Sequence, residues 1–156
     1  VIRPAEPADL AAVAAIYAHY VTETVITFEE TPPSVADWQS KELPVFLVAE
    51  IDGEIAGYAY VSQYRPKPAY RFTGENSIYL APGRTGQGLG SALLDALLTE
   101  CRKTELRQLV AVIADSGNDA SVTLHRRFGF EQVGRLRNVG FKHGRWIDTT
   151  LMQLPL

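Results

Sequence analysis

Cysteine is almost absent from this chain of 156 residues: Cys101 is the only one, and an internal disulfide is therefore impossible. That excludes the small disulfide-stapled scaffolds and fits a reducing compartment, so the expected location is the cytoplasm. Long apolar runs are missing too. The longest, Leu10–Ala18, falls well short of the roughly 20 residues that cross a bilayer, and no membrane partner is expected. The start, Val1-Ile-Arg-Pro-Ala-Glu-Pro, has no basic segment leading into an apolar one and does not read as a secretory leader. Nor is one sign of charge in excess. Lys and Arg number 15 against 18 Asp and Glu, with no basic run, which argues against a nucleic-acid partner. His19, His125 and His143 lie far apart and lack the i, i+4 spacing of a helical metal pair, so no metal is expected.

What is present is ordinary globular composition, 46% apolar and 21% charged. A chain of this length suits one domain, taken as residues 1–156, with about two-thirds of its unfolded surface buried. After a short first strand, Pro7-Ala-Asp9 opens a helix on which Leu10, Val13, Ile16, Tyr17 and Tyr20 recur at helical spacing. Ser34 reads as the cap of a second helix, through Leu43 and stopped by Pro44. Asp52-Gly53 between the apolar runs Val45–Ile51 and Glu54–Ser62 is a hairpin signal, because both turn positions need positive φ. Gln63–Tyr70 reads as an exposed loop and Phe72–Ala81 as a third long strand. Ser91–Arg102 follows as an amphipathic helix, and Gln108–Ala114 is apolar enough to predict a strand buried on both faces. Asn118 or Asp119 caps a helix to Phe128, and Glu131–Val139 pairs with Trp146–Leu154 around Lys142-His143-Gly144. The expected fold is α/β: a central mixed, mostly antiparallel sheet of about seven strands flanked by about four helices.

Arg84-Thr-Gly-Gln-Gly-Leu-Gly90 links a strand to a helix. Glycines there permit unusual φ and close ligand approach, and a helix start offers free N–H groups to an anion. The spacing is neither the dinucleotide fingerprint nor the nucleoside-triphosphate loop. By itself it fits a tight turn as well as a phosphate cradle.

Tyr79-Leu-Ala-Pro before the loop, Leu89-Gly-Ser-Ala-Leu-Leu after it, and Asn118-x-x-Ser121 followed by Leu124-His-Arg-Arg-Phe-Gly-Phe130 together resemble the GNAT superfamily of N-acetyltransferases. Ala69-Tyr-Arg-Phe-Thr-Gly-Glu75-Asn-Ser-Ile-Tyr-Leu, Val110-Ala-Val-Ile and Gly140-Phe-Lys-His-Gly-Arg-Trp146 look, more narrowly, like phosphinothricin acetyltransferases. Those enzymes and their relatives acting on methionine sulfone and sulfoximine acetylate the α-amino group of small amino-acid analogues. The resemblance implies a GNAT fold, acetyl-CoA as co-substrate, a small-molecule amine as acceptor, and a homodimer. It also implies cofactor contacts at Tyr79, Leu80 and Ala81 (backbone), Thr85, Gly86, Gln87, Gly88, Leu89 and Gly90 (glycine loop), and Asn118 and Ser121. One position departs from the family pattern: Thr85 stands where the loop usually begins with Gln or Arg.

Acyl transfer to an amine needs a neutral nucleophile, donors for the developing oxyanion, and a proton for the leaving thiolate. Glu75, in an otherwise apolar strand, is the expected general base, matching a Glu in the resembled enzymes. Leu80 N–H is a candidate oxyanion donor. His125 falls where many GNAT enzymes carry a Tyr that protonates the thiolate, so either an acid or a cofactor hydrogen bond is open to it. Arg71 is the expected anchor for a substrate carboxylate, on the same strand face as Glu75 by period two. Phe28 and Tyr70 are the expected walls of the acceptor pocket, with Lys142 and His143 completing it. Acetylation of another amine or a peptide N-terminus, and a non-catalytic acetyl-CoA-binding module, are the competing readings.

Overall fold

The computed structural model describes residues 1–156. Its strands are β1 (Ile2–Pro4), β2 (Val45–Ile51), β3 (Glu54–Gln63), β4 (Thr73–Leu80), β5 (Gln108–Ala114), β6 (Glu131–Lys142) and β7 (Arg145–Pro155). The helices are α1 (Leu10–Glu23), α2 (Val35–Gln39), α3 (Leu89–Cys101) and α4 (Ala120–Arg127). All seven strands join one sheet in the order β1-β2-β3-β4-β5-β7-β6, and only β4 and β5 run parallel. The expected mixed sheet and element order are both present. No helix is long and apolar enough to cross a membrane.

Alternation along the strands sorts the core into two layers. Leu47, Ala49, Ala59 and Val61 face Leu93, Leu94, Leu97, Leu98 and Cys101 of α3. Val48 and Tyr58 face the other way, onto Val13, Ile16, Tyr17 and Val21 of α1 and Trp38 of α2. Each fully buried Leu or Val contributes about 1.5–3 kcal/mol, so the α3 stripe alone fixes that helix to the sheet. Asp52 and Gly53 take φ of 52° and 78°, as their hairpin requires, and His143 and Gly144 make the equivalent turn at 52° and 73°.

Three expectations need correction. The second helix ends at Gln39 rather than Leu43. Ser34 does cap it, accepting from the Asp37 N–H at 3.1 Å, but Pro44 disfavours helical backbone at Leu43 and the chain must extend into β2. The glycine loop passes into helix at Leu89, two residues before the expected Ser91. Strand β5 is not buried on both faces: Leu109 and Ala111 are in the core, while Val112 is 39% exposed.

Candidate active site

Strands β4 and β5 pair only over Thr73–Glu75 and Gln108–Val110. Each is committed to its other neighbour along its length, β4 to β3 from Gly74 to Leu80 and β5 to β7 from Gln108 to Ala114. Beyond Glu75 the two strands separate. The gap leaves the β4 edge from Asn76 to Leu80 without a strand partner, and unpaired peptide N–H and C=O groups on such an edge are open to an extended ligand. A cavity of about 290 Å³ fills the gap. Ile78, Leu80, Val112, Ile113 and Leu124 make its walls largely apolar, and Asn76, Ser77, Asn118, Ser121 and His125 add polar groups. Val112 is exposed because it faces this cavity.

The open end of the gap meets the glycine loop. Gly86 and Gly88 both have φ of 76°, and Gly88 is the left-handed cap of α3, with no side chain closing its first turn. A Cβ at either glycine would meet no atom within 4 Å, so glycine is required there by backbone conformation rather than by crowding. The uncapped N–H groups following Gly88 and the positive end of a 13-residue helix suit an anion. Thr85 and Gly90 line the cavity. Arg84, one residue earlier, turns away toward Glu54, 3.8 Å distant.

Other contacts are less free than expected. Asn118 lines the cavity but also caps α4, its Oδ1 accepting the Ala120 N–H at 2.8 Å. The Ala81 N–H donates to the Ala56 carbonyl at 2.8 Å and is unavailable to a ligand. Tyr20, which sequence periodicity assigns to the core, donates to the Leu80 carbonyl at 2.5 Å and lines the cavity. His125 is buried, with Nδ1 2.7 Å from the Ser121 carbonyl and Nε2 3.0 Å from Asn76 Nδ2. Burial holds its pKa below the usual imidazole value, against a smaller opposing effect of the Ser121 carbonyl.

Glu75 is the last β4 residue paired to β5, at the closed end of the gap. By strand alternation it shares a face with Ser77 and Tyr79, the α1 side, whereas Asn76, Ile78 and Leu80 face the α3 side. Its carboxylate is half-buried and has no hydrogen-bond or salt-bridge partner. Burial raises its pKa, and the positive charge of Arg65 only partly offsets that. A partly desolvated, unpaired carboxylate is a competent proton acceptor.

The expected acceptor residues are not gathered here. Arg71 lies outside β4, at the end of a 3₁₀ turn over Pro68–Tyr70, in helical rather than extended backbone. The period-two argument that placed it beside Glu75 therefore fails. Its guanidinium stacks on Phe72 at 4.5 Å and donates to the Pro68 carbonyl at 3.1 Å. Tyr70 is 40% exposed and meets Tyr64 edge-on. Phe28 packs over Gly140, where a Cβ would overlap its ring. None of the three lines the cavity. Lys142 is buried and donates to the Thr27 carbonyl at 2.8 Å, tying the β6–β7 hairpin to the segment that carries Phe28, and His143 sits exposed in the turn. No group of three or more His, Cys, Asp or Glu gathers that could hold a metal ion.

A strand gap that ends on an open helix N-terminus, with a half-buried, unpaired carboxylate at its closed end, suits an extended ligand with an anionic tail lying near a proton acceptor. Comparison with known proteins specifies the class. The acetyltransferase (GNAT) domain model matches residues 2–151. The phosphinothricin N-acetyltransferase of Alcaligenes faecalis is 49% identical over 161 residues, spanning 99% of this chain and 82% of that protein. The L-methionine sulfoximine/L-methionine sulfone acetyltransferase of Pseudomonas aeruginosa is 41% identical, spanning 99% and 94%. Among solved structures, the GNAT superfamily phosphinothricin acetyltransferase from Sinorhizobium meliloti in complex with acetyl-CoA superposes with a TM-score of 0.93 at 43% identity, covering 100% of this chain and 88% of that one. The chain belongs to the GNAT acetyltransferase family. It is an acetyl-CoA-dependent N-acetyltransferase, an enzyme rather than a binding module.

Proposed function

We propose that this enzyme acetylates the α-amino group of a small amino-acid analogue of the phosphinothricin, methionine sulfone or methionine sulfoximine type, in the cytoplasm. The names of the similar proteins supply the acceptor class. The observation that carries the chemistry is Glu75, a half-buried carboxylate without a partner at the closed end of the gap.

Acetyl-CoA, when bound, supplies an activated acyl group. The cofactor side comprises the β4 edge facing the gap around Tyr79 and Leu80, where Tyr20 already holds the Leu80 carbonyl, the N–H groups of the Gly86–Gly90 loop for the pyrophosphate, and Asn118 and Ser121 beside the gap. Glu75 faces the acceptor side and takes a proton from the substrate ammonium, directly or through water, so that the lone pair can attack. Holding amine and thioester in line across one strand supplies much of the remaining rate.

Free-thiol release from acetyl-CoA across an acceptor panel tests the assignment. Phosphinothricin, methionine sulfone and methionine sulfoximine are set against ordinary amino acids, a polyamine and a short peptide. The protein's own thiol does not interfere, because burial pushes Cys101 up to about 11. Release with the first three supports the proposal, and release only with the peptide or polyamine overturns it.

The active form is a homodimer built on β6. This strand ends the sheet, and it and β7 expose Val133, Leu136, Val139, Phe141 and Trp146, between 45% and 64% accessible. Unpaired apolar edges of this kind are normally covered, and a second copy covers both at once. Sedimentation should give a dimer that Leu136→Glu converts to monomer. A monomeric wild type would rule the dimer out.

A further inference from the structure

Asn76 and His125 make a polar pair inside an apolar part of the fold. They are 6% and 4% exposed. Both ring nitrogens of His125 are engaged: Nδ1 lies 2.7 Å from the Ser121 carbonyl and 3.5 Å from its Oγ, and Nε2 lies 3.0 Å from Asn76 Nδ2. A carbonyl oxygen only accepts, so Nδ1 carries a proton. In the neutral ring Nε2 then holds a lone pair, which accepts from the Asn76 amide nitrogen. The reversed amide, with Oδ1 toward Nε2, requires a second ring proton and hence an imidazolium.

The surroundings decide between these two states. On α4, Arg126 and Arg127 are the charged neighbours in sequence and neither is paired with the ring. Phe130 meets the ring edge-on at 4.9 Å between centroids. On β4 the group facing it is the Asn76 amide, and no carboxylate reaches it from any element. A buried imidazolium would therefore lack a counter-charge. The neutral arrangement leaves Asn76 Oδ1 buried with no partner. A leucine of similar size would avoid that penalty, so packing alone does not account for an amide here.

We propose that Asn76 is a positioning residue acting through His125: it holds the imidazole as the neutral Nδ1–H tautomer with its Nε2 lone pair engaged, so that His125 is a fixed uncharged ring at the cavity and not the acid that protonates the departing thiolate. The role rests on the acetyl-transfer reading given above. The proton on the thiol product then comes from the amine's own protons or from water.

The test is spectroscopic, and so independent of acceptor identity. His19→Gln with His143→Asn leaves His125 as the only histidine. With ¹⁵N-labelled histidine, long-range ¹H–¹⁵N correlation should show one protonated nitrogen, Nδ1, and one unprotonated nitrogen at neutral pH. An Nε2–H tautomer or a doubly protonated ring overturns the proposal. Asn76→Asp places a carboxylate at Nε2 and should raise the ring's titration by about one pH unit or more, giving thiol release an alkaline limb absent from the wild type. An unmoved titration also overturns it. If that variant does not fold, the wild-type tautomer decides alone. A silent acceptor panel alongside the expected tautomer would count against the proposed substrate and not against the Asn76–His125 pair.

Discussion

Replacing Glu75 by Gln keeps the shape of the side chain and removes its capacity to take a proton, so activity and stability should move in opposite directions. General-base catalysis contributes about 10²–10⁴ in rate, equivalent to ~2.7–5.5 kcal/mol of barrier. The upper part of that range is not expected, because the carboxylate is half-buried rather than enclosed and solvent retains some access as an alternative base. A loss of about 10²–10³ in kcat near neutral pH is the expected result. The deficit should narrow as pH rises toward the amine's own pKa, where the substrate no longer needs a base. Acetyl-CoA affinity should hold, since Glu75 faces the α1 side and does not line the cavity. Stability follows from the sign of the pKa shift. Burial raises the Glu75 pKa in the folded state, so its favourable contribution is fully present below the unfolded pKa and is lost as pH rises through the folded one. At neutral pH the charged form is a liability, and Glu75→Gln should raise Tm there, with the advantage vanishing in acid. Thiol-release kinetics against pH, with thermal melts on the same samples, measure both effects. A variant that keeps wild-type kcat within about threefold across pH would remove Glu75 from the mechanism. A lowered Tm at neutral pH would instead show that the carboxylate makes a stabilising contact absent from this structure.

Two further substitutions probe the loop and the frame. Gly88→Ala should raise KM for acetyl-CoA about 5- to 30-fold with little change in kcat, because an L-residue in left-handed backbone costs roughly 1–2 kcal/mol and the added methyl meets nothing else; an unchanged KM would mean that the loop does not hold the cofactor. Arg3 forks between Asp9 at 2.8 and 2.9 Å and Glu50 at 2.9 Å, tying β1 and β2 to the start of α1. Its hydrogen bonds hold the Asp9 carboxyl below the ordinary carboxylate range. Stability from that pair is present above the unfolded pKa of Asp9 and lost as pH falls through the folded one. Arg3→Met should therefore lower Tm at pH 7 and converge with the wild type in strong acid; an equal deficit at both ends would assign the loss to packing.

Local signals carried most of the fold into the sequence. The alternation in β2 and β3, the leucines of α3, and Asp52-Gly53 each act within a few residues, and each element formed within about two residues of where its own pattern placed it. Two of the misplaced or missed residues, Val112 and Asn76, have environments set by remote parts of the chain, and the third, Arg71, by a local turn. Val112 is apolar and β-branched like its neighbours in β5, and nothing within the strand distinguishes a side chain facing core from one facing a cavity. Arg71 would have joined Glu75 had the strand begun earlier, but Pro68 sets the backbone of a 3₁₀ turn that Arg71 terminates. Asn76 drew no reading from the sequence, because the partner that gives it meaning, His125, lies 49 residues away.

The gap belongs to the same class of non-local facts. It exists because β4 is fully paired to β3 and β5 fully paired to β7, while the two halves of the sheet meet over only three residue pairs. No segment encodes that separation by itself. It follows from how two independently registered half-sheets, each twisted in the usual sense, meet along a parallel join that is too short to draw them together. Glu75 occupies the last of those three pairs. The place where the sheet ceases to satisfy its own backbone is therefore also the place where a half-buried carboxylate is left without a partner, and the gap and the setting of Glu75 are two consequences of one short ladder.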